Sequence, residues 1–255
     1  MWINGKGPFR LVLDTGANHS GVTAQVAKLL GVPLDDSAPI LLRGVTGIVS
    51  VPTIRVNSFT VGDLTLSPAI LPIVTDAMGA AEGVLAPDEF KDKRIVIDFK
   101  HDQIDIRRSH NERARSGFVT IPLEHSEAGL LMFHALVGGV RIQAIIDTGG
   151  QRTIGNLAMR DALIRHHTQG RPVQIFDVTA ESQAGETFPS PPIQLGSIDI
   201  LGALITYGEM HIFERWELIK QPALLIGMDV IGLLDTFIID YRRHELQLRM
   251  RTDQS

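Results

Sequence analysis

Leu11-Val12-Leu13-Asp14-Thr15-Gly16-Ala17 and Ala144-Ile145-Ile146-Asp147-Thr148-Gly149-Gly150 are two versions of one heptapeptide in a chain of 255 residues. In each version three apolar residues run into Asp-Thr-Gly, which places an aspartate where a strand stops and a turn begins. Upstream of both copies lies a glycine-bearing turn, Asn4-Gly5 in the first and Gly138-Gly139 in the second. Downstream, each aspartate is followed six positions later by a hydroxyl residue, Ser20 or Thr153, and then by a helical pattern. The first such pattern covers residues 23–30 and is stopped by Gly31 and Pro33; the second covers residues 156–164.

The correspondence continues late in each half. Val84-Leu85-Ala86-Pro87-Asp88 matches Leu225-Ile226-Gly227-Met228-Asp229, and Ile95-Val96-Ile97-Asp98-Phe99 matches Phe237-Ile238-Ile239-Asp240-Tyr241. Matched blocks in the same order indicate an internal duplication. The halves divide in the polar run 109–117, giving lobes 1–112 and 113–255. The second opens with a strand over 118–123 that has no counterpart ahead of Met1, so the natural chain is expected to begin further upstream. Most other segments are short, rich in Val, Ile, Leu and Thr, and separated by Gly, Pro, Asn or Asp. The expected fold class is all-β, mainly strands with one short helix per lobe.

Bulk properties exclude several functions. At 44% hydrophobic residues the chain can bury a sizeable core. A net charge of -5 supplies no basic footprint, and the densest basic stretch, 107–115, is broken by Ser109, Asn111 and Glu112. A nucleic-acid partner is therefore not expected. Cysteine is absent, which removes disulfides and thiolate chemistry, and the nine histidines lack metal-ligand spacing. No metal or other cofactor is expected. No apolar run approaches the ~18 residues of a membrane span, and Asn4-Gly5-Lys6-Gly7-Pro8 is turn chemistry where the apolar segment of a signal peptide would stand.

The paired aspartates carry the chemistry. Two carboxylates brought together cannot both ionise cheaply, so one pKa rises and the pair holds one proton. The ionised member can then act as general base on a water, and the protonated member can polarise a carbonyl. Thr15 and Thr148 have hydroxyls placed to reach the opposite turn, and Gly16 and Gly149 let backbone N–H groups approach the carboxylates. Ala17 and Gly150 follow, where a hydroxyl residue would lower the dyad's pKa values, so a dyad active nearer neutrality is expected.

These motifs resemble those of the bacterial single-chain retropepsin-like aspartic peptidases. The resemblance rests on both Asp-Thr-Gly turns, on Ser20, and on the apolar-apolar-Gly block Leu225-Ile226-Gly227, which reads Val84-Leu85-Ala86 in the first half. It implies a bilobal pepsin/retropepsin-like acid protease fold with pseudo-two-fold symmetry, a cleft between the lobes, and peptide or protein substrates. It also implies a glycine-bearing flap: Gly44, Val45, Thr46 and Gly47 in the first lobe, and the stretch 179–185 in the second, with Ala184-Gly185 as its turn. Neither holds the tyrosine of pepsin-type flaps. A monomer suffices to build the dyad, and the resemblance leans toward the periplasm. A peptide-binding module that does not cleave, and a form needing removal of an N-terminal segment, are the competing readings.

Overall fold

The computed structural model describes residues 1–62, 64–75, 79–87, 90, 92–125, 131–164, 169–177 and 182–251. The first half contains β1 (Trp2–Ile3), β2 (Val12–Leu13), β3 (Gly21–Thr23), α1 (Ala24–Leu30), β4 (Asp35–Arg43), β5 (Ile48–Val56), β6 (Phe59–Val61), β7 (Leu64–Leu66), β8 (Ala69–Val74), β9 (Gly83–Leu85), β10 (Lys93–Asp98) and β11 (Gln103–Arg108). The second half opens with β12 (Val119–Pro122), β13 (Glu124–His125), β14 (Leu131–Val137), β15 (Val140–Ile146), β16 (Ile154–Gly155), α2 (Leu157–Leu163), β17 (Arg171–Phe176) and β18 (Ser182–Pro189). It continues with β19 (Ile193–Leu195), β20 (Ile198–Ile200), β21 (Leu204–Tyr207), α3 (His211–Arg215), β22 (Ala223–Ile226), α4 (Met228–Ile231), β23 (Leu234–Asp240) and β24 (Glu245–Met250).

Strand order repeats between the halves. The first-half sheet runs β2-β9-β3-β8-β5-β4, and the second-half sheet contains the run β15-β22-β16-β21-β18-β17. In both, the strand that delivers the aspartate lies parallel to the apolar block found late in the half: Val12 and Leu13 face Val84 and Leu85, and Ile145 and Ile146 face Leu225 and Ile226. Strands covered on both faces read as continuous apolar runs rather than alternating ones. Accordingly Val84, Leu85, Ala144, Ile145, Leu224, Leu225 and Ile226 are all buried. Each Val, Leu or Ile among them contributes about 1.5–3 kcal/mol of transfer free energy.

Helices α1 and α2 follow from capping chemistry at the expected places. Thr23 Oγ1 accepts from the Val26 N–H at 3.4 Å, and Gly31 closes α1 in the left-handed region at φ 72°. Asn156 Oδ1 accepts from the Met159 N–H at 2.9 Å to start α2. The mainly-β fold is as expected, but the second half carries α3 and α4 besides α2. Both are a single short turn or little more: α4 begins at the Met228-Asp229 step of the matched block, and α3 is held by burial of Ile212 and Phe213. A one-turn segment has too few residues for a helical period to show in sequence.

A third sheet, β11-β10-β23-β24-β12, draws strands from both halves. Its centre is the antiparallel pairing of β10 with β23, Ile95 against Ile239 and Ile97 against Phe237, all buried. This sheet joins the halves through main-chain bonds. No described helix is long and apolar enough to cross a membrane.

Candidate active site

Each aspartate is pinned by the rung beyond its parallel pairing. The Asp14 N–H donates to the Leu85 carbonyl at 3.0 Å and the Asp147 N–H to the Ile226 carbonyl at 2.9 Å. The chain then turns so that two following N–H groups point back at the carboxylate. Asp14 Oδ1 accepts from Gly16 at 2.8 Å and Ala17 at 2.9 Å; Asp147 Oδ1 accepts from Gly149 and Gly150, each at 3.0 Å. Beneath the turns, Ser20 Oγ accepts from the Ala86 N–H at 3.0 Å and Thr153 Oγ1 from the Gly227 N–H at 3.1 Å. A Cβ at Gly227 would sit 2.5 Å from the Arg152 carbonyl oxygen, whereas the first-half position accommodates Ala86 fully buried. The two turns are therefore equivalent in bonding but not in packing.

The threonines lock the turns together. The Thr15 N–H donates to Thr148 Oγ1 and the Thr148 N–H to Thr15 Oγ1, both at 3.1 Å. Each hydroxyl in turn donates across the boundary, Thr15 to the Ile146 carbonyl at 2.8 Å and Thr148 to the Leu13 carbonyl at 2.6 Å. Both threonines are buried, so each bond removed would strand a desolvated backbone partner. The exchange fixes the separation of the two aspartates. Glycine is required in front of them because the opposite carboxylate crosses there: a Cβ at Gly149 would fall on the Asp14 carboxyl group, and one at Gly16 would lie 3.2 Å from Asp147 Oδ1.

Asp14 and Asp147 are within hydrogen-bonding reach of each other. Burial raises the pKa of Asp14, against the N–H groups of Gly16 and Ala17 and the hydrogen bond to Asp147, which lower it. Asp147 is pushed up to about 8, first by burial and second by the charge of Asp14. The pair behaves as one titrating unit that holds a proton at neutral pH. This is the electrostatic state that the paired motif leads one to expect.

The first-half hairpin of β4 and β5 turns through Gly44, Val45, Thr46 and Gly47, with the Gly44 N–H donating to the Gly47 carbonyl at 2.9 Å. Its tip reaches the second half. The Thr46 N–H donates to Asp177 Oδ2 at 2.7 Å, the Ile212 N–H donates to the Val45 carbonyl at 3.2 Å, and Val45 packs on the cluster that includes Ile145, Ile212 and Phe213. Gly44 lies so close to Asp177 that a Cβ there would overlap its carboxylate.

In the second half the hairpin exists but its turn is elsewhere. Ala184 and Gly185 are not the turn: they lie within β18, opposite Gln174 and Val173, and the connection follows Phe176 and precedes Ser182. Gly185 is explained instead by packing, since a Cβ would stand 2.9 Å from the Tyr207 carbonyl oxygen. Ala-Gly imitates turn chemistry in sequence, but pairing with β17, Ala184 opposite Gln174 and Gly185 opposite Val173, claims both residues for a strand. Residues 179–181 of the expected flap, and His166 and His167, lie outside the described residues.

A cavity of about 1000 Å³ opens beside the dyad, lined by Thr15, Gly16, Ile146 and residues of the β4–β5 hairpin. A second of about 570 Å³ contains Asp14 and Asp147 and shares Gly16, Arg43 and Trp216 with the first. The two form one cleft across the aspartates. Ile212 and Arg215 of helix α3, and Trp216 just beyond it, form part of its wall. Sequence reasoning missed α3, Asp177 and Asp229, whose carboxylate accepts from Thr153 Oγ1 at 2.6 Å. Only Asp229 left a signal, in its match to Asp88. Among the described residues no group of three or more His, Asp or Glu side chains could hold a metal ion.

Residues 1–86 match the family model described as aspartyl protease. Among solved structures, the chain is similar to a retropepsin-like aspartic protease from Rickettsia conorii, at 17% identity and a TM-score of 0.37, over 55% of this chain and 96% of that one. No curated protein matches the chain. The family match includes the first of the two interlocked Asp-Thr-Gly turns.

Proposed function

We propose that the protein is an aspartic endopeptidase that hydrolyses peptide bonds of extended peptides with a water activated between Asp14 and Asp147. The observation that carries this reading is the reciprocal threonine exchange, which brings two carboxylates from opposite halves to share one proton. Asp147 is buried and Asp14 half-buried, which favours Asp147 as the proton's carrier and Asp14 as the base. Asp14 takes a proton from water as the oxygen bonds to the scissile carbon, and Asp147 gives its proton to the carbonyl oxygen. Collapse of the tetrahedral intermediate breaks the C–N bond, and the amine leaves with the proton Asp14 had taken. The hydroxyl hydrogen of the gem-diol returns to Asp147, which restores the starting state.

The β4–β5 hairpin, through Gly44, Val45, Thr46 and Gly47, acts as the flap that excludes water from this step. Lobes 1–112 and 113–255 each supply one aspartate, so a monomer is the working unit. Cleavage of a peptide library by the wild type, Asp14→Asn and Asp147→Asn tests the reading. Turnover that falls by about 10²- to 10⁴-fold in either variant is expected. Tight binding of library members without turnover at any pH would identify a non-cleaving module instead.

A further inference from the structure

The larger cavity beside the dyad is unusual in its charge. The described residues that line it include Arg43 from the flap's base, Arg215 from α3, and His19 and His244, but no aspartate or glutamate. The chain as a whole carries a charge of -5, so a lining whose charged side chains among the described residues are Arg43 and Arg215 is contrary to its average. Both arginine side chains are exposed, and neither makes an ion pair among the described residues. Glu214 and Glu217 neighbour Arg215 in sequence yet do not line the cavity.

The arginines are held on anchored supports. The Arg43 N–H donates to Asn18 Oδ1 at 3.2 Å, one residue before the flap turn. Arg215 ends a helix whose Ile212 and Phe213 are buried, with Phe213 edge-on to Trp216 at 6.5 Å. Flap and helix are themselves joined by the bond from the Ile212 N–H to the Val45 carbonyl. The same cavity is lined by the apolar Ile40, Leu41, Leu123 and Leu131. A guanidinium is planar, always charged and weakly hydrated, which suits it to bind carboxylate at the rim of an apolar pocket.

We propose that this half of the cleft is a specificity subsite for a peptide carboxylate, an Asp or Glu side chain flanked by apolar residues, held by Arg43 and Arg215. The proposal rests on the endopeptidase reading and names the substrate class it selects. A free C-terminal carboxylate is the other source of the same chemistry.

The test uses C-terminally amidated peptide pairs that differ by Glu or Gln at each position around the cleaved bond, plus the free-acid form of each Gln peptide. The wild type is expected to favour one Glu peptide by about tenfold in kcat/KM, mainly through KM, because two exposed pairs each contribute modestly. That ratio should collapse toward one in Arg43→Gln/Arg215→Gln and persist in Arg113→Gln, whose arginine lies exposed in the connection between the halves. Arg215→Glu should turn the preference toward the matching Lys peptide, which a structural role for Arg215 would not produce. A preference that follows the free-acid Gln peptide and vanishes in the double variant assigns the carboxylate to the chain end. Cleavage of Glu and Gln peptides at equal rates by the wild type, or a ratio unmoved in the double variant, overturns the subsite while leaving the peptidase intact. If no peptide is cleaved, the activity reading fails, and fluorescence anisotropy of labelled Glu and Gln peptides on Asp14→Asn still decides the subsite by whether Glu binds more tightly in an arginine-dependent way.

Discussion

At the scale of single residues, the dyad's environment is defined by what is absent after Asp-Thr-Gly. Ala17 and Gly150 donate only backbone N–H groups, at 2.9 and 3.0 Å, and no hydroxyl lowers either carboxylate further. Burial therefore dominates, and Asp147 stands near 8. Activity requires the shared proton, so kcat/KM should decline as pH rises through about 8. A pH–rate profile with its maximum in strong acid would contradict this assignment. The same proton marks stability. Asp147 ordinarily titrates near 3.8, so between that value and about 8 the folded state holds a proton that the unfolded state has released. Stability then falls as pH rises across this window and is greatest below it. Thermal melts from pH 4 to 8 should show this decline in the wild type and a flatter dependence in Asp147→Asn.

At the scale of elements, the flap is not free-standing. Asp177, just beyond β17, accepts from Thr46 at the tip of the opposite hairpin, so the loop of one half fastens the flap of the other. Asp177→Ala should release it, with amide exchange at Val45 and Thr46 rising by roughly tenfold, which corresponds to loss of one charge-assisted bond of about 1.5 kcal/mol. Hydrogen exchange followed by mass spectrometry of the 43–48 segment measures this, and unchanged protection would mean that the Ile212–Val45 bond suffices. Asp177 also shows where the sequence is silent. The elements around the aspartates were legible because each has a local cause: Thr23 and Asn156 cap their helices, Gly31 ends one, and Val12-Leu13 is an apolar strand. The contact of Asp177 with Thr46 joins residues far apart in the chain, and no period or turn residue announces it. Ala184-Gly185 misled for the complementary reason, since a glycine placed for close approach to Tyr207 looks like one placed for a turn. Helix α3 was unreadable because five residues, 211–215, are shorter than two helical turns.

At the scale of the whole molecule, the halves are joined by the sheet in which β10 pairs with β23, and a buried charge cluster marks that seam. Arg94 Nη1 donates to Asp240 Oδ2 at 2.8 Å and Nη2 to Gln247 Oε1 at 2.8 Å, while Ser109 Oγ donates to the same Asp240 oxygen at 3.0 Å. Arg94 comes from the first half and Asp240 and Gln247 from the second, and the carboxylate is fully buried. An ion pair in such a place need not stabilise relative to an apolar pair, because desolvation offsets the attraction; breaking it from one side leaves an uncompensated charge. Arg94→Ala should therefore cost about 3–5 kcal/mol, more than the removal of any single exposed pair on this surface. Asp240→Ala should also destabilise, and Arg94→Met/Asp240→Leu should cost much less than the sum of the single changes, since the double change leaves no orphaned charge. Urea denaturation of the three variants measures the coupling directly. If Arg94→Met/Asp240→Leu costs as much as the two single changes together, the seam is held by its ladder of main-chain bonds and apolar contacts, Ile95 against Ile239 and Ile97 against Phe237. A strong coupling would instead make the cluster the feature that sets how the two halves, and so the two aspartates, are registered against each other.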